Sequence, residues 1–277
     1  MTKSSLGKFS ELYQRIVTAS IGAALIISSL VMSEWSYFVV FLTISVLAQW
    51  EFYRLVRFQN YLPIRLLGVF IGSILFTISF FVARGSLDPN YYYALFPIAS
   101  LIFLVKLYKK NDNNPFLNIA LFYLGLTYVA LPFALMNVVV HYHGPYNYEI
   151  LLGLMLIIWA SDTGAYFAGV RFGKRKLFER ISPKKSWEGA IGGAVTAVVF
   201  SVIISRYSTG LSLWQWVCVS LIVVIAGTYG DLVESMFKRS MQIKDSGTSI
   251  PGHGGFLDRF DSLILAVPFI VVFLKLL

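Results

Sequence analysis

Residues 150–170 read ILLGLMLIIWASDTGAYFAGV, an apolar stretch interrupted by one carboxylate, Asp162. At 1.5 Å of rise per residue a helix of this length measures roughly 30 Å, the thickness of a bilayer's hydrocarbon core. Its surroundings repeat the pattern. Apolar stretches at 16–32, 35–48, 62–83, 91–105, 116–140, 189–205, 211–229 and 263–277 bring the total to nine, the second and the last being short. With 57% apolar and 13% charged residues, the chain lacks the polar surface that keeps a soluble domain dispersed. The expected fold class is an all-α, polytopic integral membrane bundle of about nine transmembrane helices, partnered by the lipid bilayer. The first stretch leads into more spans, with no small-residue cleavage site before a hydrophilic domain, so it reads as a span and not a signal peptide.

Basic residues set the expected orientation, because Lys and Arg stay in cytoplasmic loops. With the N-terminus cytoplasmic and nine spans alternating, twenty of the 23 Lys and Arg fall inside, and only Arg84, Arg206 and Lys275 fall outside. Losing or adding a central span scrambles this separation. The C-terminus is then expected outside. The net charge of +9 follows from topology: the basic residues are scattered over loops that share only a side of the membrane, which argues against nucleic acid as a partner. Cys218 is the single cysteine and lies within an apolar stretch, leaving no disulfide or Cys-based metal site. His141 and His143 read as residues of a solvated outside loop. The compact length points to the inner (plasma) membrane of a bacterium.

The two halves differ. Residues 1–148, holding spans one to five, carry few polar groups and read mostly as scaffold. Residues 149–277 hold spans six to nine, the two longest loops and seven of the 14 acids beyond Asp162, and read as the catalytic region with its site at the cytoplasmic face.

Three segments stand out there. Asp162 sits at a depth where a carboxylate is costly unless it meets a partner or a wet cavity. Its helical neighbours Ala165, Tyr166 and Gly169 form a mostly small face open to close approach. Next, Ile181-Ser-Pro-Lys-Lys-Ser-Trp-Glu-Gly leads into a glycine-rich span. Here Ser182 is the expected N-cap and Pro183 the first helical turn, forming an anion site flanked by Lys184 and Lys185. In the third segment Asp231, Glu234, Ser235 and Lys238 share one helical face. A loop opened by Lys244-Asp245 follows, containing His253, Gly254 and Gly255, whose composition lets backbone N–H groups approach phosphate. Asp258 and Asp261 then lie one turn apart at the start of the last span, either as site residues or as helix caps.

Several carboxylates with no His or Cys cluster form an oxygen-ligand site, the preference of magnesium, with neighbouring cations left to hold phosphate. That combination at a membrane face points to phosphoryl or nucleotidyl transfer between a soluble nucleotide and a lipid headgroup. A transporter would spread polar residues over several spans and show internal symmetry; neither is visible.

Ser235-Met-Phe-Lys-Arg, then Lys244-Asp, then Ile250-Pro-Gly-His-Gly-Gly-Phe-Leu-Asp-Arg-Phe-Asp261 resembles the signature of the phosphatidate cytidylyltransferases along all 27 residues. Ser161-Asp-Thr-Gly-Ala-Tyr-Phe, Phe172-Gly-Lys and Ser182-Pro-Lys-Lys-Ser-Trp-Glu-Gly resemble that family's other shared segments, with Ser186 where threonine is usual. The resemblance implies a membrane-embedded homodimer that converts CTP and phosphatidate to CDP-diacylglycerol and pyrophosphate with Mg2+, a second cation being an option. The expected metal ligands are Asp231, Asp258 and Asp261, with Lys244, Asp245 and Arg259 completing the catalytic set. Asp162, Ser182, Lys184, Lys185, Glu188, Glu234, Lys238, Arg239, His253, Gly254 and Gly255 are expected to bind substrates. A CTP-dependent polyprenol or phytol kinase, transferring the γ-phosphate, is the alternative.

Overall fold

In the computed structural model, residues 3–57, 64–110, 112–243 and 254–276 are described, with side chains described from Tyr13 onward except at residues 15 and 57. The helices are α1 (Lys3–Met32), α2 (Glu34–Arg57), α3 (Arg65–Ala83), α4 (Leu95–Leu107), α5 (Pro115–Leu124), α6 (Leu131–Val140), α7 (Glu149–Phe172), α8 (Trp187–Tyr207), α9 (Leu213–Ser240) and α10 (Leu257–Leu276). Seven described helical stretches are long and apolar enough to cross a bilayer. Of the nine expected, the first has a shorter apolar part, Ile16–Met32. The last begins with the charged turn of Asp258, Arg259 and Asp261. The expected boundaries at residues 62 and 277 lie outside the described residues.

Local chemistry explains the irregular places. α5 and α6 form one rod, joined by a π-helical turn, Gly125–Ala130. Pro132 lies just beyond it. Proline supplies no N–H and its ring crowds the preceding turn, so a wider turn relieves the ladder there. The second departure is an antiparallel hairpin between α7 and α8, β1 (Lys176–Phe178) with β2 (Ser182–Ser186), pairing Lys176 with Ser186 and Phe178 with Ser182. The bundle remains all-α in class with this one short hairpin added, but one expectation is corrected: Ser182 is not the cap of the following helix. The cap is Ser186, whose Oγ accepts the Gly189 N–H at 3.1 Å. Pro183 therefore lies in a strand rather than in a first helical turn, a place proline tolerates in an edge strand.

One hydrophobic core runs through both halves, from Tyr37, Phe41 and Phe52 on α2 through Phe133 on α6 to Trp216 on α9 and Phe260 on α10. A smaller cluster joins α3, α4 and α5 around Ile71, Ile102 and Phe122. Buried polar groups bond across helices: Tyr53 Oη donates to the Phe122 carbonyl at 2.7 Å, and Ser79 Oγ to the Ala134 carbonyl at 2.6 Å. Such bonds hold helices together where lipid offers no hydrophobic driving force. At the end of α4, Lys106 pairs with Asp112 at 2.5 Å, both side chains almost fully buried, and Asn118 donates to the same carboxylate at 2.6 Å. The polar turn near residue 112 is thus an internal ion pair. His141 and His143 bond separately to the carbonyls of Asn137 and Gly210.

Candidate active site

Helices α7, α8, α9 and α10 pack in sequence order, and small residues set their spacing. A Cβ on Gly193 would lie 2.9 Å from the Ser161 carbonyl oxygen, so α8 approaches α7 almost backbone to backbone. A Cβ on Gly230 would lie 2.5 Å from the Asp261 carbonyl oxygen. No larger residue fits there. This second approach brings together the acids that follow Gly230 on α9 and those opening α10.

Carboxylate oxygens of Asp231, Glu234 and Asp261 lie within 4.8 Å of one another. Glu234 is 1% exposed, and its Oε1 has no hydrogen-bond partner among the described residues. Three converging carboxylates, one with a buried and undonated oxygen, repel one another unless a cation or a shared proton offsets their charge. The donor set is all oxygen and fits a hard divalent ion. Asp258, expected among the ligands, stands beside Glu234 of this trio, and its oxygens also meet other donors: Oδ1 accepts from Lys238 Nζ at 2.8 Å and Oδ2 from the Gly255 N–H at 3.3 Å. Lys238 also reaches Glu234 Oε2 at 3.2 Å.

Beside the acids lies a cavity of about 610 Å³ walled by α7, α8, α9 and the hairpin. Asp162, Ala165, Tyr166 and Gly169 line it, as the small face on α7 predicts, opposite Lys176, Lys184 and Lys185. Lys185 Nζ forms an ion pair with Asp231. Asp162 also faces a smaller cavity of about 140 Å³ lined by Asp258, Arg259 and Asp261. It therefore stands between the two spaces, within electrostatic reach of Asp231, Lys185 and Arg259.

Other expected residues stand apart. Ser182 pairs with Phe178 in the hairpin. Glu188 accepts the Lys174 and Arg175 N–H groups at 3.1 and 3.2 Å, tying down the turn before β1, and lines a different groove. Arg239 is exposed at the end of α9. Gly254 adopts φ 81°, a conformation glycine permits, and Gly255 donates to Asp258 as above. Lys244, Asp245 and His253 lie outside the described residues.

Two contributors come from the half read as scaffold. Tyr128, on the π-helical turn, has a buried hydroxyl with no partner among the described residues and lies in the field of Glu234, Asp261 and Asp231. Glu51, on α2, accepts the Phe256 N–H at 2.9 Å. An acid near the end of an apolar stretch reads as interfacial, and one tyrosine among sixteen carries no mark, so only their placement reveals them.

The chain matches the Cytidylyltransferase family over residues 13–277. It is 35% identical to the phosphatidate cytidylyltransferase of Haemophilus influenzae, across 95% of this chain and 98% of that protein. Identity to the phosphatidate cytidylyltransferase of Bacillus subtilis is 31%, across 96% and 98%. With similarity running almost end to end at 31–35% identity, the chain belongs to the cytidylyltransferase family.

Proposed function

We propose that the protein transfers the cytidylyl group of CTP to phosphatidate, giving CDP-diacylglycerol and pyrophosphate. The observation that carries this reading is the carboxylate trio of Asp231, Glu234 and Asp261 at the edge of a lysine-lined cavity. A phosphatidate oxygen attacks the α-phosphorus of CTP; the new P–O bond forms as the bond to the bridging oxygen breaks, and the electron pair leaves with pyrophosphate. The attacking phosphate is already anionic near neutral pH, so no strong general base is required.

Asp231, Glu234 and Asp261 would hold Mg2+, with room in the reading for a second cation. Bound there, the ion supplies charge neutralisation between two anionic reactants and stabilises the leaving group. Lys184, Lys185 and Arg259 face the cavities and meet phosphate oxygens. Lys238, held between Glu234 and Asp258, orients the two acids. Tyr166 and Val170 line the larger cavity and are exposed on α7, which supports access for the lipid from the bilayer side. The reading extends to a homodimer of nine spans in an inner membrane, with the N-terminus and the site cytoplasmic.

Product analysis tests the reaction. Purified protein in phosphatidate-containing liposomes, given CTP labelled in the cytosine ring, is expected to place label in lipid and release pyrophosphate. Unlabelled lipid with release of CDP would instead mark a γ-phosphate transfer.

A further inference from the structure

Glu51 lies near the end of α2 and is 4% exposed, yet its carboxylate reaches a segment 205 residues further along the chain. Its Oε2 accepts the N–H of Phe256 at 2.9 Å, immediately before α10 begins at Leu257. The first N–H groups of a helix have no partner within it, and a negative charge beside them is favourable. A buried carboxylate is costly unless it is satisfied in this way. The adjacent residue grips the other helix of the site: Phe52 stacks on Phe237 with ring centroids 5.1 Å apart and planes 15° apart. Phe237 immediately precedes Lys238 on α9. Neighbouring residues of α2 thus hold the end of α9 and the beginning of α10, the two helices that carry Asp231, Glu234 and Asp261.

From these two contacts we infer that Glu51 is a positioning residue for the cation site. Its bond to the Phe256 N–H fixes where α10 starts, and so how closely Asp261 approaches Asp231 and Glu234. The first half of the chain then takes part in the chemistry through α2. The inference rests on the carboxylate trio binding a divalent cation.

The experiment measures Mn2+ binding by electron paramagnetic resonance to full-length, substrate-free protein in detergent, alongside kcat, the KM for CTP and thermal unfolding. Wild-type protein is expected to bind Mn2+; absence of binding overturns the cation site itself. Glu51→Leu is expected to weaken Mn2+ binding by about tenfold or more, as loss of an outer-shell partner does, and to lower kcat more than it raises KM. Glu51→Gln keeps an oxygen acceptor for the Phe256 N–H and is expected to recover most of the affinity. Wild-type Mn2+ affinity in Glu51→Leu, with only a lower melting temperature, overturns the positioning role, and equal losses in both variants overturn the hydrogen bond as its means. Amide exchange at Phe256 in the wild type gives a check independent of any variant: protection supports the bond, and free exchange overturns it.

Discussion

Lys238 Nζ lies 2.8 Å from Asp258 Oδ1 on α10 and 3.2 Å from Glu234 Oε2 on its own helix. One ammonium therefore joins α9 to α10 beside the carboxylate trio, with 14% of its side chain exposed. Lys238→Met removes the ammonium that two buried acids share. The expected result is destabilisation of about 3–5 kcal/mol, the usual cost of breaking one side of a buried pair, read as thermal unfolding in detergent. Pyrophosphate release should fall with it, and Lys238→Arg should recover stability better than activity, because a planar fork does not replace a point charge.

The trio and the pair assign different work to Asp258 and Asp261. Asp261→Asn and Glu234→Gln are expected to weaken Mn2+ binding by about tenfold or more, since each removes an oxygen that faces the others. Asp258→Asn is expected to retain Mn2+ binding while lowering the melting temperature, because it removes one of the two acids paired with Lys238. Loss of Mn2+ binding in Asp258→Asn, with retention in Glu234→Gln, would restore the ligand set read from the sequence.

Gly230 decides how near the acids stand. A Cβ there would meet the Asp261 carbonyl oxygen at 2.5 Å, backbone that cannot swing aside. Gly230→Ala must therefore push α9 from α10, costing about 1–3 kcal/mol as overpacking does. A shift of about 1 Å at reacting groups costs on the order of a hundredfold in rate, so pyrophosphate release should fall by that order. Gly22→Ala is the control: nothing lies within 4 Å of a Cβ at that position of α1, and activity should be unchanged.

The ion pair of Lys106 and Asp112 lies between α4 and α5, outside the helices that carry the candidate site, and tests stability. Burial pushes the Asp112 carboxyl up, but the Lys106 ammonium, the Asn114 N–H and the Asn118 amide outweigh it and hold the group below its ordinary value of 3.8. A carboxyl depressed on folding stabilises the protein above its unfolded value and loses that contribution as pH falls through the lower folded value. Asp112→Asn should cost about 3–5 kcal/mol near neutral pH by removing the carboxylate that the buried Lys106 ammonium faces. The gap in melting temperature between wild type and variant should persist down to about pH 5 and close below about pH 4. A gap that does not change with pH would show that shape, not charge, is what the pair contributes.

Hydrophobic run length alone revealed a membrane bundle, because a chain in lipid must satisfy its backbone within each span and the apolar stretches are long enough to do so. The segments whose acids and lysines gather in the fold were equally legible: acids and lysines at helical spacing have no place in an apolar chain unless they meet each other or a ligand. Linear spacing could not say which acids meet. Asp258 and Asp261 look alike in sequence, one turn apart, yet Asp258 pairs with Lys238 while Asp261 joins Asp231 and Glu234 in one cluster. The difference arises from the packing of α9 on α10 at Gly230, a contact between backbones with no signature of its own. The hairpin at Ser182 was hidden for a similar reason, since strand pairing with Lys176–Phe178 overrides a local cap signal. Glu51 and Tyr128 were decided by tertiary structure altogether: each serves residues more than a hundred positions away, and only the folded chain brings them within reach.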